Sequence, residues 1–104
     1  MYRNNLSELP RTNIDTLEIV IPEIVIIEPV NSLEACSAIQ ALRQSKIVIL
    51  KLTNLEFNQA QRVVDFITGG TYAINGRTQL ITKQTFLFTP NFVQVITQSS
   101  IVPR

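Results

Sequence analysis

The chain of 104 residues contains no histidine, no tryptophan and a single cysteine, Cys36. Because histidine is the commonest general base and metal ligand, its absence excludes a Ser-His or Cys-His nucleophile within one chain. A lone cysteine forms no intramolecular disulfide, which is typical of a reducing compartment. The helical spacing around Cys36 predicts a buried, inert thiol. The sequence therefore predicts a protein that is not an enzyme and that uses no cofactor or metal.

Charge is also scarce: nine basic and eight acidic residues give a net charge of +1, and charged residues make up 16% of the chain. The basic residues are scattered, whereas binding to a phosphate backbone needs clustered Lys and Arg. A surface that depends on Asn, Gln, Thr and Ser for its polarity favours self-association. The composition therefore favours protein partners, including further copies of the chain, over nucleic acid.

No apolar run reaches the ~20 residues that a membrane span requires, and the first residues lack an apolar signal segment. Residues 1–18 are polar, contain Pro10 and show little periodicity, which predicts a flexible arm. The arm has too few apolar residues for a membrane-binding amphipathic helix. We expect one globular domain over residues 19–104.

Hydrophobic periodicity predicts the order β-α-β-α-β-β-β, an α/β (α+β) two-layer sandwich. Two helices would cover one face of a sheet of about five strands. A capping box at Asn31 and Glu34 predicts the start of a helix that runs to about Gln44. Asn58 and Gln61 offer a second capping pattern, and Asn75-Gly76 predicts a tight turn. The predicted strands are Ile24–Glu28, Ile47–Leu52, Thr78–Thr82, Thr85–Thr89 and Phe92–Gln98.

One face of the second helix carries Gln59, Arg62 and Phe66, an aromatic residue among polar neighbours. Gly69-Gly70 follow, and two interpretations stay open. The glycines end the helix as a C-cap, or they leave a bare patch where a second helix can approach closely. Phe66 favours the patch, because an exposed aromatic side chain next to glycine needs cover.

Three aromatic residues gather near the end of the chain: Phe86, Phe88 and Phe92. They either belong to the core or form a sheet face that packs on another subunit or receives an apolar peptide. Arg77 and Lys83 lie nearby. Mixed aromatic and basic residues also fit single-stranded nucleic acid, although the basic stripe that this would need is absent.

The segment from Glu56 to Pro90 resembles the SepF family of cell-division proteins, and most closely its cyanobacterial or plastid branch. The resemblance covers about residues 24–98. It is carried by a glutamine-rich helix start, a Val-Asp-Phe run, a glycine, a Tyr-Ala-Ile segment and a Phe-Leu-x-Thr-Pro motif. The matching residues are Gln59, Ala60, Arg62, Val64, Asp65, Phe66, Gly69, Tyr72, Ala73, Ile74, Gly76, Phe86, Leu87, Thr89 and Pro90.

The resemblance implies a domain that dimerises, whose dimers polymerise, and that binds the C-terminal peptide of the tubulin-like division protein FtsZ. It implies a location at the division site, in the cytoplasm or in a plastid stroma. Family members usually begin with an amphipathic membrane helix. The pattern of residues 1–18 does not predict such a helix, so we expect the membrane to be reached only indirectly here. The alternatives are a nucleic-acid-binding α/β module and a structural subunit of a larger complex without an FtsZ contact.

Two sets of residues follow from the resemblance together with the pattern. Phe86 corresponds to the position that lines the family's peptide groove near the dimer junction, and Gly69 to a helix-side contact between dimers. Leu80 stands where the family often has Lys or Arg, a role that Arg77 or Lys83 would take over. The sheet-face set is Arg77, Leu80, Lys83, Phe86, Phe88 and Phe92. The helix-side set is Arg62, Phe66, Gly69 and Gly70.

Overall fold

A computed structural model describes residues 21–98, so the predicted arm at residues 1–18 lies outside the described residues. These residues form four strands and three helices. In chain order they are β1 Ile24–Ile27, α1 Ser32–Ala35, α2 Ser37–Arg43, β2 Ile47–Lys51, α3 Phe57–Ala73, β3 Arg77–Thr82 and β4 Thr85–Thr89. The helices pack on one face of the sheet, so the predicted two-layer α/β class is confirmed.

The sheet has the order β1-β2-β4-β3. β1 and β2 are parallel and are joined through α1 and α2, whereas β4 runs antiparallel to both β2 and β3. The apolar run of β2 takes a central position, with Val48 and Leu50 fully buried under the helices. This placement agrees with the rule that continuous β-branched runs suit central strands.

The predicted first helix is interrupted at Cys36, so that α1 and α2 are separate short helices. The capping box is present: the Glu34 amide donates to Asn31 Oδ1 at 2.9 Å, and the Val30 amide donates to Glu34 Oε1 at 3.0 Å. Ser37 Oγ donates to the carbonyl oxygen of Glu34 at 2.9 Å. Serine side chains compete for helical carbonyls in this way and bend helices, which accounts for the break.

α3 continues through Gly69 and Gly70, so the interpretation of these glycines as a helix end is wrong. The helix begins after Glu56 and has no side-chain cap, so the predicted capping pattern at Asn58 is also wrong. Its end has the geometry of a Schellman motif. The Gly76 amide donates to Thr71 O at 2.8 Å, the Asn75 amide donates to Tyr72 O at 2.9 Å, and Asn75 has a φ of 61°.

The predicted fifth strand, Phe92–Gln98, is not a strand, and within the described residues the sheet has four strands. A turn follows β4, in which the Val93 amide donates to Pro90 O at 3.3 Å. The alternation in the sequence corresponds to burial on one side of this segment: Val93 and Val95 are half-buried, and Phe92 and Ile96 are exposed. Alternation of apolar and polar residues predicts which side chains face the protein, but it does not predict that the backbone pairs with a neighbouring strand.

The core lies between the helices and the sheet. Its fully buried members are Ala38, Val48, Leu50, Ile67 and Phe88. The opposite face of the sheet has no helix over it within residues 21–98. The strand register places a row of aliphatic side chains on that face, because Ile24 lies beside Ile47, and Ile26 beside Ile49 and then Leu87. We call Ile24, Ile26, Ile47, Ile49 and Leu87 the open sheet face.

Candidate functional site

A groove opens between the N-terminal half of α3 and the turn that joins β3 to β4. We call it the hairpin groove, and its volume is about 190 Å³. Phe86 forms part of its floor, Lys83 and Gln84 come from the turn, and Phe57 stands at the start of α3 with 77% of its surface exposed. The remaining lining residues come from α3 and the loop before it: Leu52, Leu55, Ala60, Gln61 and Val64.

The hairpin groove is apolar except for two amides and one ammonium group. Lys83 is the one ionisable residue among those that line it. The arrangement suits an apolar peptide side chain next to a carboxylate, since apolar walls strengthen a charge interaction by excluding water.

The structure brings together only part of the sheet-face set. Lys83 and Phe86 line the hairpin groove, and Leu80 lies directly opposite Phe86 in the strand register, with 54% of its surface exposed. Arg77 lies at the other end of β3, where it lines a separate cavity of about 290 Å³ with Tyr72 and Val95. Phe92 is exposed beyond the end of β4.

Phe88 corrects the prediction of a single exposed aromatic face. Its ring stacks on that of Phe86 with centroids 6.2 Å apart, but it is fully buried beneath the helices. Phe86 and Phe88 both point to the helix layer, so the aromatic face is the inner face of the sheet. The surface of the sheet that is free of helices is instead the aliphatic open sheet face, with Ile24 and Ile26 60% and 65% exposed.

On the helix layer, a second opening of about 300 Å³ lies between α1 and α3. We call it the helix cavity. Arg62 and Phe66 from the helix-side set line it, together with Ser32, Ala35, Cys36, Val63 and Ile67. Arg62 and Phe66, two of the α3 residues predicted from the sequence, therefore border a concave surface whose other wall is formed by α1.

The two glycines of the helix-side set differ in their surroundings. A Cβ atom on Gly69 would meet nothing within 4 Å, so this position is open to a partner. A Cβ atom on Gly70 would overlap Ile39 Cδ1, so Gly70 is covered by α2 of its own chain. The bare-patch interpretation is wrong for Gly70, and at Gly69, which is uncovered, it stays a prediction.

Several residues around these openings were not selected from the sequence. Phe57 is an exposed aromatic residue at the start of a helix, and the sequence pattern could have indicated it. Leu52 and Leu55 precede the helix and gave no signal, because a short loop has no periodicity. Cys36 was predicted to be buried, but it is exposed where α1 ends and lines the helix cavity.

Within residues 21–98, no group of three or more His, Cys, Asp or Glu residues could hold a metal ion. Among the same residues, no helix is both long and apolar enough to cross a membrane.

The helices, the mixed sheet and the open opposite face define a small α/β domain of a known fold. Two solved structures share it: a SepF-like protein from Pyrococcus furiosus with a TM-score of 0.69 and 18% sequence identity, and a SepF-like protein from Archaeoglobus fulgidus with a TM-score of 0.69 and 13% identity. The matches cover 77% and 79% of this chain and the whole of each structure.

The family model described as "Cell division protein SepF" matches residues 24–95, and the chain belongs to the SepF family of cell-division proteins. The cell division protein SepF of Trichormus variabilis is 49% identical over 82 residues, and that of Trichodesmium erythraeum is 50% identical over 80 residues. These matches cover 79% and 77% of this chain and confirm the resemblance to cyanobacterial members. The chain spans 41% and 38% of the length of these two relatives.

Proposed function

We propose that this chain is a non-enzymatic adaptor of cell division that binds the C-terminal peptide of FtsZ and assembles with further copies of itself. The family supports the role in division, and the hairpin groove supports the peptide contact. The proposed location is the division site, in the cytoplasm or a plastid stroma.

One observation supports the peptide contact: Lys83 and Phe86 line the same apolar groove. An apolar side chain of the peptide would pack on Phe86, where burial contributes about 1.5–3 kcal/mol per large side chain. A peptide carboxylate would pair with the Lys83 ammonium. Leu80, beside Phe86, adds apolar surface at the position where the family often has a base, so Lys83 supplies the charge from the turn.

The open sheet face supports dimerisation. Its five residues are all aliphatic and adjacent in the strand register, and the charged residues of the same face, Lys51 and Arg77, lie toward its two ends. A second copy would cover this face about a two-fold axis, so that each patch meets its own equivalent. This surface replaces the Phe86, Phe88 and Phe92 face as the proposed dimer contact, because Phe88 is already buried within one chain.

A second self-contact would lie on the helix layer, around Arg62, Phe66 and Gly69. The helix layer and the open sheet face point in opposite directions. Two different two-fold contacts on opposite sides of a subunit extend into a polymer instead of closing. The two surfaces together therefore support dimers that polymerise.

Titration of the chain with the FtsZ C-terminal peptide by calorimetry tests the peptide contact. We expect Phe86→Ala to abolish measurable binding and Lys83→Gln to weaken it about tenfold, as for a charge-assisted contact. Arg77→Gln is the matched control, since it removes a base from the far end of the same hairpin and should leave the affinity unchanged. Equal affinity for the wild-type chain and the Phe86 variant would remove the peptide from the hairpin groove.

A further inference from the structure

Leu33 is the most exposed large hydrophobic residue among those described, with 82% of its surface accessible. It lies on α1, next to Ser32, which lines the helix cavity. A protruding leucine and a concave apolar opening of about 300 Å³ therefore lie side by side on one surface. The cavity walls are largely apolar, with Ala35, Val63, Phe66 and Ile67 among them.

The charges around this surface are also paired by sign. Glu34 follows Leu33 on α1, and Arg62 lines the cavity from α3. Both side chains are exposed, and within residues 21–98 neither forms an ion pair with its own chain. The α1 side of the surface thus carries the acidic Glu34 and the protruding Leu33, and the α3 side carries the basic Arg62 beside the helix cavity.

We propose that the occupant of the helix cavity is Leu33 of a second copy of this chain. The proposal rests on the helix-side contact of the proposed function and names the groups that form it. About a two-fold axis, each Leu33 enters the other copy's cavity, and each Glu34 faces the other copy's Arg62. A self-complementary surface of this kind needs no other partner.

The contact is centred on α1 and the cavity, with Phe66 as a wall and Gly69 at the side. Gly69 carries no side chain that would hold a neighbouring copy away from Phe66, which is consistent with the open space around it. Gly70 takes no part, because Ile39 covers it.

Truncation of the leucine is the first test, read out as the concentration at which polymers form, by light scattering and sedimentation. Leu33→Ala should raise that concentration about tenfold or more, because each contact loses two buried leucines. Tyr72→Ala, a truncation of another exposed residue farther along α3, is the control and should change little. Both positions are largely exposed, so we expect the fold and the dimer to be unaffected. Assembly of the Leu33 variant at the wild-type concentration would overturn the proposal.

Charge reversal gives the second test. Glu34→Lys alone would place an ammonium group against Arg62 of the neighbouring copy. Arg62→Glu alone would place a carboxylate against Glu34 of that copy, so each variant should fail to polymerise. Because Glu34→Lys also removes the acceptor for the Val30 amide, Glu34→Gln is its control: it keeps that acceptor without the charge and should still polymerise. Mixed in equal amounts, the two charge-reversed variants restore two attractive pairs per contact and should polymerise again. A mixture that stays as inert as its components, or single variants that polymerise like the wild type, would overturn the proposal.

Gly69→Lys separates this proposal from the one on which it rests. If Gly69→Lys stops polymerisation while the Leu33 and charge variants have no effect, the helix-side contact stands and its assignment to the helix cavity is wrong. If Gly69→Lys also leaves polymers intact, the helix-side contact itself is wrong.

Discussion

At the scale of single residues, the glycines of α3 and of its C-terminal turn show how the same residue type serves different purposes. Gly69 lies within a regular helix and faces open space. Gly76 lies where the end of α3 passes β4, and a Cβ atom there would overlap the carbonyl oxygen of Thr89 and come within 2.9 Å of Thr71 Cγ2. Neither glycine has a positive φ, so the difference between them lies in their neighbours.

Alanine at these two positions should have opposite effects on the free energy of unfolding. Gly69→Ala should raise it by about 0.5–1 kcal/mol, because alanine restricts the unfolded chain and suits a helix interior. Gly76→Ala should lower it by about 1–3 kcal/mol, because the backbone must move to admit the methyl group. Urea denaturation of both variants measures the difference. Stabilisation by Gly76→Ala would show that the contact with β4 is loose.

At the scale of elements, the short helix α1 depends on its cap. Four residues make too little helix to be stable alone, so the bonds at its start matter more than its propensity. Asn31→Ala removes the acceptor for the Glu34 amide and should lower the free energy of unfolding by about 0.5–2 kcal/mol. Asn58→Ala is the control, because the structure gives Asn58 no capping role, and its effect should stay within about 0.5 kcal/mol. Equal losses at the two positions would contradict this assignment of the cap.

The elements also show what can be predicted from sequence. The capping box at Asn31 was found because its signal is local, and β2 because its apolar run requires a central position. The break at Cys36 depends on a competing hydroxyl from Ser37, and the missing fifth strand depends on whether a neighbouring strand is available. These outcomes are decided by hydrogen-bond partners that the residue pattern does not contain.

The candidate site also depends on contacts that the residue pattern does not contain. Phe86 and Phe88 occupy the same face of one strand, and sequence spacing cannot tell that face from the opposite one until the helices are placed. The core position of Phe88 follows from its register with Val48 across the sheet. Lys83 and Phe86 are close in the chain, but the wall supplied by Phe57 and Val64 depends on how α3 packs on the sheet.

At the scale of the whole molecule, the edges of the sheet are poorly suited to pairing with another chain. β1 has only four residues and lies between Pro22 and Pro29, and β3 has a register shift between Leu80 and Thr82. Short strands, prolines and bulges are features that prevent association by edge pairing. Assembly through faces is therefore the more consistent arrangement.

A charge placed in the open sheet face should dissociate the proposed dimer. Ile26→Lys introduces an ammonium group into an aliphatic contact, where it would lose its hydration without gaining a partner. Sedimentation equilibrium should show monomers at concentrations where the wild-type chain is dimeric. Gln40→Lys adds the same charge on the exposed side of α2 and should leave the dimer intact. A dimeric Ile26 variant would place the dimer contact elsewhere.

The two proposed self-contacts should respond differently to salt, because one is aliphatic and the other includes paired charges. Surface ion pairs such as Glu34 with Arg62 weaken as the Debye length falls from about 14 Å to about 4 Å, between about 0.05 M and 0.5 M salt. Apolar contacts are not weakened by the same change. Raising the salt concentration should therefore dissolve polymers into dimers before any monomer forms. Sedimentation velocity across this range follows both species, and the appearance of monomers before the loss of polymers would reverse the assignment of the two surfaces.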